Sequence, residues 1–215
     1  MWSKASKFLC MVAVVVMVGA MARPCVAQAN DVYHLNYFSN AFIATGENEV
    51  YDQTVRIINT GQIGSPIDPA TNFGTVCANI YVFDTNQEMI SCCSCPITAN
   101  GLLQLSVNNN LVSNTLTAVT PTSGVIKIVA DLACNAFSIG QPVGSGLRAF
   151  GTHLPTGAFG TPAVTNIFTE TEFQTAPLQD PEAGFLGNAC SFVQYLGSGR
   201  GTCSCGLTEV VVGDL

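Results

Sequence analysis

Two histidines and two glutamates are the side chains in this sequence best suited to catalysis. His34 and His153 are the only imidazoles in the chain, so a Ser-His-Asp hydrolase would have to use one of them as its base. The chain contains no Gly-x-Ser-x-Gly sequence, which is the elbow that presents the nucleophilic serine of α/β-hydrolases. His153 falls in a predicted strand, where we expect an ordinary edge or surface imidazole. His34, close to the expected mature N-terminus, is the weaker candidate.

The glutamates Glu170 and Glu172 alternate with threonines, so they would share one side of an extended segment at a spacing of about 7 Å. That separation is compatible with the acid pair of a glycosidase. Paired exposed acids are also common on protein surfaces. In addition, the one tryptophan, Trp2, falls in the predicted signal peptide, which leaves the mature chain without the usual sugar-stacking residue.

Oxygen donors for calcium are present, but not in the order of an EF-hand loop. Asp68 and the run Asn108–Asn110 could act as ligands, whereas no segment matches Asp-x-[Asp/Asn]-x-[Asp/Asn]-Gly. The residues therefore predict no catalytic, cofactor-binding or metal-ligating site, and we expect no cofactor.

Cysteines are the most distinctive residues of the chain. Two of the ten, Cys10 and Cys25, lie in the predicted signal peptide. An even number in an exported chain predicts disulfides. The alternative is a zinc site, but neither cysteine cluster has the two-residue spacing of a zinc knuckle. The eight predicted disulfide cysteines are Cys77, Cys92, Cys93, Cys95, Cys134, Cys190, Cys203 and Cys205.

The cysteine spacing disfavours some pairings and leaves many open. A bridge between the adjacent Cys92 and Cys93 would be strained, so we expect each cluster to bond outward. We expect Cys93 on the face opposite Cys92 and Cys95, so that the triplet ties one strand to two neighbours. The tail cysteines are candidate partners for the triplet or for Cys190. A bridge from Cys77 across the base of a hairpin is also open.

The N-terminus has the pattern of an export signal. Lys4 and Lys7 precede an uncharged stretch from Phe8 to Met21, and Ala27-Gln28-Ala29 supplies a signal-peptidase site. A membrane anchor would need about 20 apolar residues, more than this stretch offers. We therefore expect cleavage after Ala29 and a secreted protein, extracellular or periplasmic.

Removal of residues 1–29 leaves one domain, residues 30–215, with enough chain for a hydrophobic core. The whole chain has seven basic and fourteen acidic residues, a formal charge of −7. Three basic residues leave with the signal, so the mature chain would carry a charge of −10. A strongly acidic protein is unsuited to nucleic acid and to anionic membranes. We expect neither as a partner.

Short apolar or alternating runs between turn residues predict an antiparallel sheet. The clearest alternation places Val76, Ala78, Ile80 and Val82 on one side and Cys77, Asn79, Tyr81 and Phe83 on the other. Turn residues Asp84–Gln87 then predict a hairpin. The predicted strands are 32–38, 54–59, 76–83, 88–93, 102–107, 124–130 and 147–154.

One helix is predicted near the C-terminus, at about residues 181–196. Asp180 is a good N-cap, Pro181 fits the first turn, and Gly197 suits the residue after the helix. A bridge from Cys190, on the flank of the apolar stripe, would pin the helix to the sheet. The predicted stripe is Phe185, Ala189, Val193 and Leu196. The fold class expected is mostly β: an antiparallel β-sandwich of about seven or eight strands with one C-terminal helix and several disulfides.

Several segments together resemble a known group. They are Asp52–Asn59, Cys77–Asp84, Glu88–Pro96 with its three cysteines, and the helix leading to Leu196–Gly199 and Cys203–Cys205. The chain resembles the exported, cysteine-rich β proteins of soil bacteria, a group with no established activity. The resemblance implies export and a cysteine framework, and it implies no functional residue.

Three functions remain open from the sequence. The first is a non-catalytic structural or interaction module outside the cell (a matrix, surface or assembly subunit) that binds itself or other extracellular proteins. Its segment Glu209–Val212 could be a strand offered to a neighbour. The second is a secreted binding domain for calcium or a glycan. The third is an extracellular hydrolase that uses His153 or the Glu170/Glu172 pair.

Overall fold

A computed structural model describes residues 32–40, 52–63, 73–153, 169–196 and 199–206. The predicted signal peptide, Asp68, Gly197 and the segment Glu209–Val212 lie outside these residues. Within them, no helix is both long and apolar enough to cross a membrane.

The described residues form two antiparallel sheets, as the sequence predicts. The first sheet has the strand order β4-β3-β6-β1-β9 and the second has the order β5-β2-β7-β8. The strands are β1 (Val32–Ser39), β2 (Thr54–Asn59), β3 (Val76–Asp84), β4 (Met89–Ile97), β5 (Leu102–Ser106), β6 (Ser123–Asp131), β7 (Leu147–His153), β8 (Thr169–Glu172) and β9 (Gln174–Pro177). One α-helix, α1 (Asp180–Leu196), follows them.

The main core lies between the two sheets. Val55 and Ile57 of β2 pack there against the inward residues of β3, because alternate side chains of a strand point to the same face. The predicted alternation of β3 is confirmed. Its residues Val76, Ala78, Ile80 and Val82 enter this core, whereas Tyr81 and Phe83 lie in a second apolar cluster under the helix.

The predicted strand 102–107 is one residue shorter in the structure, because β5 ends at Ser106 and a π-helical turn covers Val107–Leu111. Two hydrogen bonds hold the start of this turn. The backbone N–H of Asn109 donates to Ser106 Oγ over 2.8 Å, and the backbone N–H of Asn108 donates to the Asp52 carboxylate over 2.8 Å. Side-chain acceptors thus satisfy amides that a continued strand would have paired.

Helix α1 lies on the outer face of the first sheet. Its buried residues are Leu186, Gly187, Cys190 and Val193. The predicted stripe is right at Val193, which is buried, and at Ala189, which packs against the same cluster. It is wrong at Phe185 and Leu196, which are about half exposed, and Cys190 lies in the centre of the contact and not on its flank. Gly187 shows why. A Cβ at this position would lie 2.5 Å from the Phe137 carbonyl oxygen, so the glycine lets the helix approach on that side.

Four disulfides join the eight predicted cysteines. The bridges are Cys77–Cys134, Cys92–Cys190, Cys93–Cys203 and Cys95–Cys205, with Cα–Cα distances of 5.0, 5.8, 5.3 and 5.4 Å. These distances are ordinary for disulfides. The outward bonding of the triplet is confirmed, and Cys190 does pin the helix to the sheet. Cys77 bonds to the loop after β6 and not across the hairpin base.

One expectation about the cysteine triplet is wrong. Cys93 and Cys95 share the face of β4 that enters the core between the sheets, and Cys92 alone lies on the helix side. The reason is the two-residue period of a strand, which puts residues 93 and 95 on the same side. The triplet still ties β4 to two neighbours, the helix and the tail.

The tail also protects the outer edge of β4. The Cys92 amide donates to the Gly201 carbonyl over 3.0 Å, and the Cys203 amide donates to the Cys92 carbonyl over 3.3 Å. Edge strands with free backbone groups invite pairing with other chains. Here two disulfides hold the tail residues against that edge.

Candidate functional site

The predicted acid pair is engaged in ion pairs. Glu170 Oε1 lies 2.6 Å from Arg56 Nη1, and Glu172 is paired with Arg148. All four side chains are partly exposed, and all four belong to strands of the second sheet. Each carboxylate is therefore neutralised by a guanidinium, which is the arrangement of a surface charge network and gives the two acids no distinct acid and nucleophile roles.

His153 is buried, with 6% of its surface exposed, and the expectation of a surface imidazole is wrong. It occupies an inward position of β7, in step with the buried Leu147, Ala149 and Gly151. Gln53 Nε2 lies 3.1 Å from its Nδ1, and the Tyr37 ring stacks on it with centroids 4.5 Å apart. Burial lowers the pKa of His153 below its ordinary value. A neutral, stacked imidazole of this kind joins the two sheets.

Two of the three asparagines considered for calcium, Asn108 and Asn110, already have side-chain partners. Asn108 Oδ1 accepts a hydrogen bond from Asn40 Nδ2 over 2.7 Å, and Asn110 Oδ1 accepts one from the Ser106 amide over 2.8 Å. Their side-chain oxygens therefore organise the turn after β5.

Three sulfurs, those of Cys93, Cys95 and Cys205, lie within 4.8 Å of one another. All three belong to disulfides. Metal binding needs thiolates, so the oxidised pairs do not supply the ligands of the alternative zinc site.

The sequence makes His34 the weaker of the two histidine candidates. Among the described residues, however, it alone has two buried side-chain nitrogens without a hydrogen-bond partner. It lies in β1, only 3% exposed, at an inward position in step with the buried Phe38. Within the described residues, neither ring nitrogen has a hydrogen-bond partner. Buried polar atoms are nearly always satisfied. The alternation of β1 puts His34 on the same face as the apolar Phe38. This spacing was the sequence signal that could have identified His34 as an inward residue.

His34 lines a cleft of about 280 Å³ between the two sheets. The cleft lies near β9, the edge strand of the first sheet, and the start of β7 in the second. The other lining residues are Gln62, Gly144, Ser145, Leu147, Arg148, Glu172 and Thr175. We call this set the His34 cleft.

The charges around the His34 cleft balance. Burial is the main cause that lowers the pKa of His34, the Arg148 charge lowers it further, and the Glu172 carboxylate opposes both. The imidazole is thus neutral at neutral pH, with one N–H donor and one acceptor nitrogen. Arg148 and Glu172 neutralise each other, so the lining is polar but carries no net charge.

A second surface feature is an exposed apolar strip on α1. We define the aromatic stripe as Phe185, Phe192, Tyr195 and Leu196, which are 50%, 61%, 86% and 51% exposed. Phe185 borders the buried contact of the helix, because its ring stacks on Phe83 with centroids 6.3 Å apart. From Ala183 to Leu196 the helix carries no charged residue.

Comparisons with protein-family models, with curated proteins and with solved structures find no match to this chain.

Proposed function

We propose that this protein is a secreted, disulfide-stapled structural module that assembles with a second copy of itself through the aromatic stripe of α1. The observation that carries the proposal is the stripe itself, a set of large apolar side chains on a helix that a disulfide fixes to the sheet. Four disulfides suit an oxidising environment outside the cytoplasm. The predicted signal peptide supports the same location.

The stripe has the composition of a protein interface. Aromatic residues are enriched at the centres of interfaces and charged residues are depleted there. A fully buried aromatic side chain removes about 150–250 Å² from water, so four half-exposed or more exposed residues offer several hundred Å². The Cys92–Cys190 bridge holds their backbone in place. Association would therefore cost little ordering of the helix.

The charge pattern restricts where a second copy can bind. Without the predicted signal peptide the chain carries a formal charge of −10, so two copies repel each other over most of their surfaces. The charge-free stripe is a place where they can approach. In an antiparallel pairing about a twofold axis, the start of each helix, with the exposed Asp180, would face the end of the other helix, which the exposed Arg200 follows in sequence.

Analytical ultracentrifugation of the oxidised protein, from micromolar to millimolar concentration, tests the assembly. We expect a monomer–dimer equilibrium for the wild type and a monomer for Phe192→Asp. The matched control is Phe73→Asp, because Phe73 is 63% exposed and its neighbour Gly74 is hydrogen-bonded to Asn59 of the second sheet. It should dimerise like the wild type. Tyr195→Ser, which adds no charge, should weaken dimerisation. A wild type that stays monomeric, or equal loss in Phe192→Asp and Phe73→Asp, would overturn the proposal.

Mass spectrometry of the exported protein tests the location and the redox state. We expect a chain that begins at Asn30, with all eight remaining cysteines oxidised. Free thiols in the folded protein, or an uncleaved N-terminus retained in the cell, would contradict a secreted module.

A further inference from the structure

We propose that the His34 cleft is a binding site for a small neutral polyol, of the size and chemistry of one monosaccharide unit. It shares no residue with the aromatic stripe, so it stands or falls independently of self-association.

The imidazole of His34 has unsatisfied hydrogen-bonding groups. Both nitrogens of His34 are buried and without a partner among the described residues. An unsatisfied buried polar group costs about 1–3 kcal/mol. A neutral imidazole has one donor and one acceptor, and a sugar hydroxyl both accepts and donates. A sugar hydroxyl that reaches a ring nitrogen from the cleft would therefore satisfy it.

The groups around His34 include both hydrogen-bond donors and acceptors. Arg148 uses one guanidinium nitrogen on Glu172, which leaves further N–H donors, and the carboxylate has further lone pairs. Ser145 and Thr175 contribute hydroxyls, and Gln62 contributes an amide. This mixture of donors and acceptors matches a ligand in which every polar group is a hydroxyl.

Charge excludes two other ligand classes. An anion would meet the Glu172 carboxylate, and a cation would meet the Arg148 guanidinium, while each of these groups already neutralises the other. A divalent metal ion would also need more anionic ligands than the single carboxylate in the lining. A neutral ligand avoids both conflicts.

The size and lining of the cleft also fit a single sugar ring. The volume of about 280 Å³ is at the small end of the roughly 300–1,000 Å³ usual for ligand pockets. The cleft therefore suits one sugar ring and is too small to enclose an oligosaccharide. Leu147 supplies an apolar wall that can contact the C–H face of a sugar ring.

Nuclear magnetic resonance titration of the oxidised protein tests the proposal, with glucose, galactose and mannose as probes. We expect at least one of them to shift the His34 ring signals and the amide signals of Ser145 and Thr175, with saturation at millimolar concentration. Glucuronate, glucosamine and Zn²⁺ are the charged probes, and they should bind more weakly or not at all.

Two variants locate the binding. His34→Phe should weaken binding of the responding sugar by about tenfold or more, because it removes both ring contacts. His153→Phe, the matched control at the other buried histidine, should leave binding unchanged. Thr175→Val, on the exposed edge strand, removes one hydroxyl with little risk to folding and should weaken binding several-fold.

Three outcomes would overturn the proposal. One is the absence of any shift with neutral sugars at high millimolar concentration. Another is equal binding by the wild type, His34→Phe and Thr175→Val. The third is tighter binding of a charged probe or Zn²⁺ than of every neutral sugar.

Discussion

Cys92 and Cys93 are adjacent in the chain, yet their disulfides leave opposite faces of β4. Cys92 bonds to Cys190 in the helix, whereas Cys93 bonds to Cys203 in the tail. Because neighbouring residues of a strand point to opposite faces, one dipeptide can anchor two elements. Strand β4 is therefore the element to which both C-terminal segments are fixed.

The two tail disulfides should be partly redundant. Cys93–Cys203 and Cys95–Cys205 each span 110 residues, and they join the same two segments. A disulfide stabilises mainly by closing a loop in the unfolded chain. After Cys95→Ala with Cys205→Ala, nearly the same loop stays closed. We therefore expect a loss in the free energy of unfolding well below the usual value of about 2–4 kcal/mol, measured by urea denaturation.

The matched comparison is the Cys77–Cys134 bridge. It spans 57 residues, and no second disulfide joins its two segments. Its removal should cost the full value of about 2–4 kcal/mol. Removal of both tail bridges should cost more than the sum of the two single removals, because no disulfide then joins the tail to β4 and only Cys92–Cys190 still closes the chain between β4 and the helix. Equal costs for all three bridges, with strict additivity, would show that the tail bridges act independently.

Local patterns predicted β1 to β7 and the hairpin, whereas β8 and β9 were not among the predicted strands. The alternation of Val76 to Phe83 and the turn at Asp84 are short-range signals, and the structure reproduces both. The start of the helix was also predicted from neighbouring residues, because Asp180 and Pro181 suit the first turn. These elements follow from residues close together in the sequence.

The phase of α1 and the importance of His34 depend on distant contacts. The apolar residues of the helix cover a wide arc, so its sequence alone does not decide which side is buried. Gly187 against the Phe137 carbonyl and Cys190 against Cys92 decide it. The cleft around His34 likewise includes Arg148 and Glu172 of the second sheet, which are far from His34 in the sequence.

Substitution of alanine for two glycines of α1 should change the free energy of unfolding in opposite directions. At Gly187 a Cβ would lie 2.5 Å from the Phe137 carbonyl oxygen, whereas at Gly184 it would meet nothing within 4 Å. Gly187→Ala should therefore lower the free energy of unfolding by about 1–3 kcal/mol through overpacking. Gly184→Ala should raise it by about 0.5–1 kcal/mol, since alanine favours the helix. Urea denaturation measures both, and a shared sign would contradict the packing of this face.

The two buried histidines should make the protein less stable in mild acid. Burial lowers the pKa of His34 and of His153 below the ordinary value of 6.5. Between that value and the lowered pKa, the unfolded chain binds protons that the folded protein does not. The free energy of unfolding therefore falls as the pH decreases through this range.

Thermal unfolding between about pH 7.5 and pH 5.5 measures this effect, because carboxyl groups in the unfolded chain stay largely ionised there. The wild-type Tm should decrease towards the acid end. The double variant His34→Gln with His153→Gln should show a flatter profile. If both proteins lose the same stability over this range, groups other than the histidines are responsible.

Asn59 should be intolerant of a change that removes only its amide donor. Its Nδ2 donates to the Gly74 and Ile97 carbonyls, each over 2.8 Å, and its side chain is fully buried. Asn59→Asp replaces that donor with a carboxylate oxygen facing two carbonyl oxygens, so we expect a loss of more than about 3 kcal/mol in the free energy of unfolding. The loss should shrink towards pH 4, because a protonated carboxyl can donate again. Asn109→Asp, at an exposed position, should change stability by less than about 0.5 kcal/mol. Similar urea midpoints for the two variants would show that the Asn59 contacts do not hold these segments together.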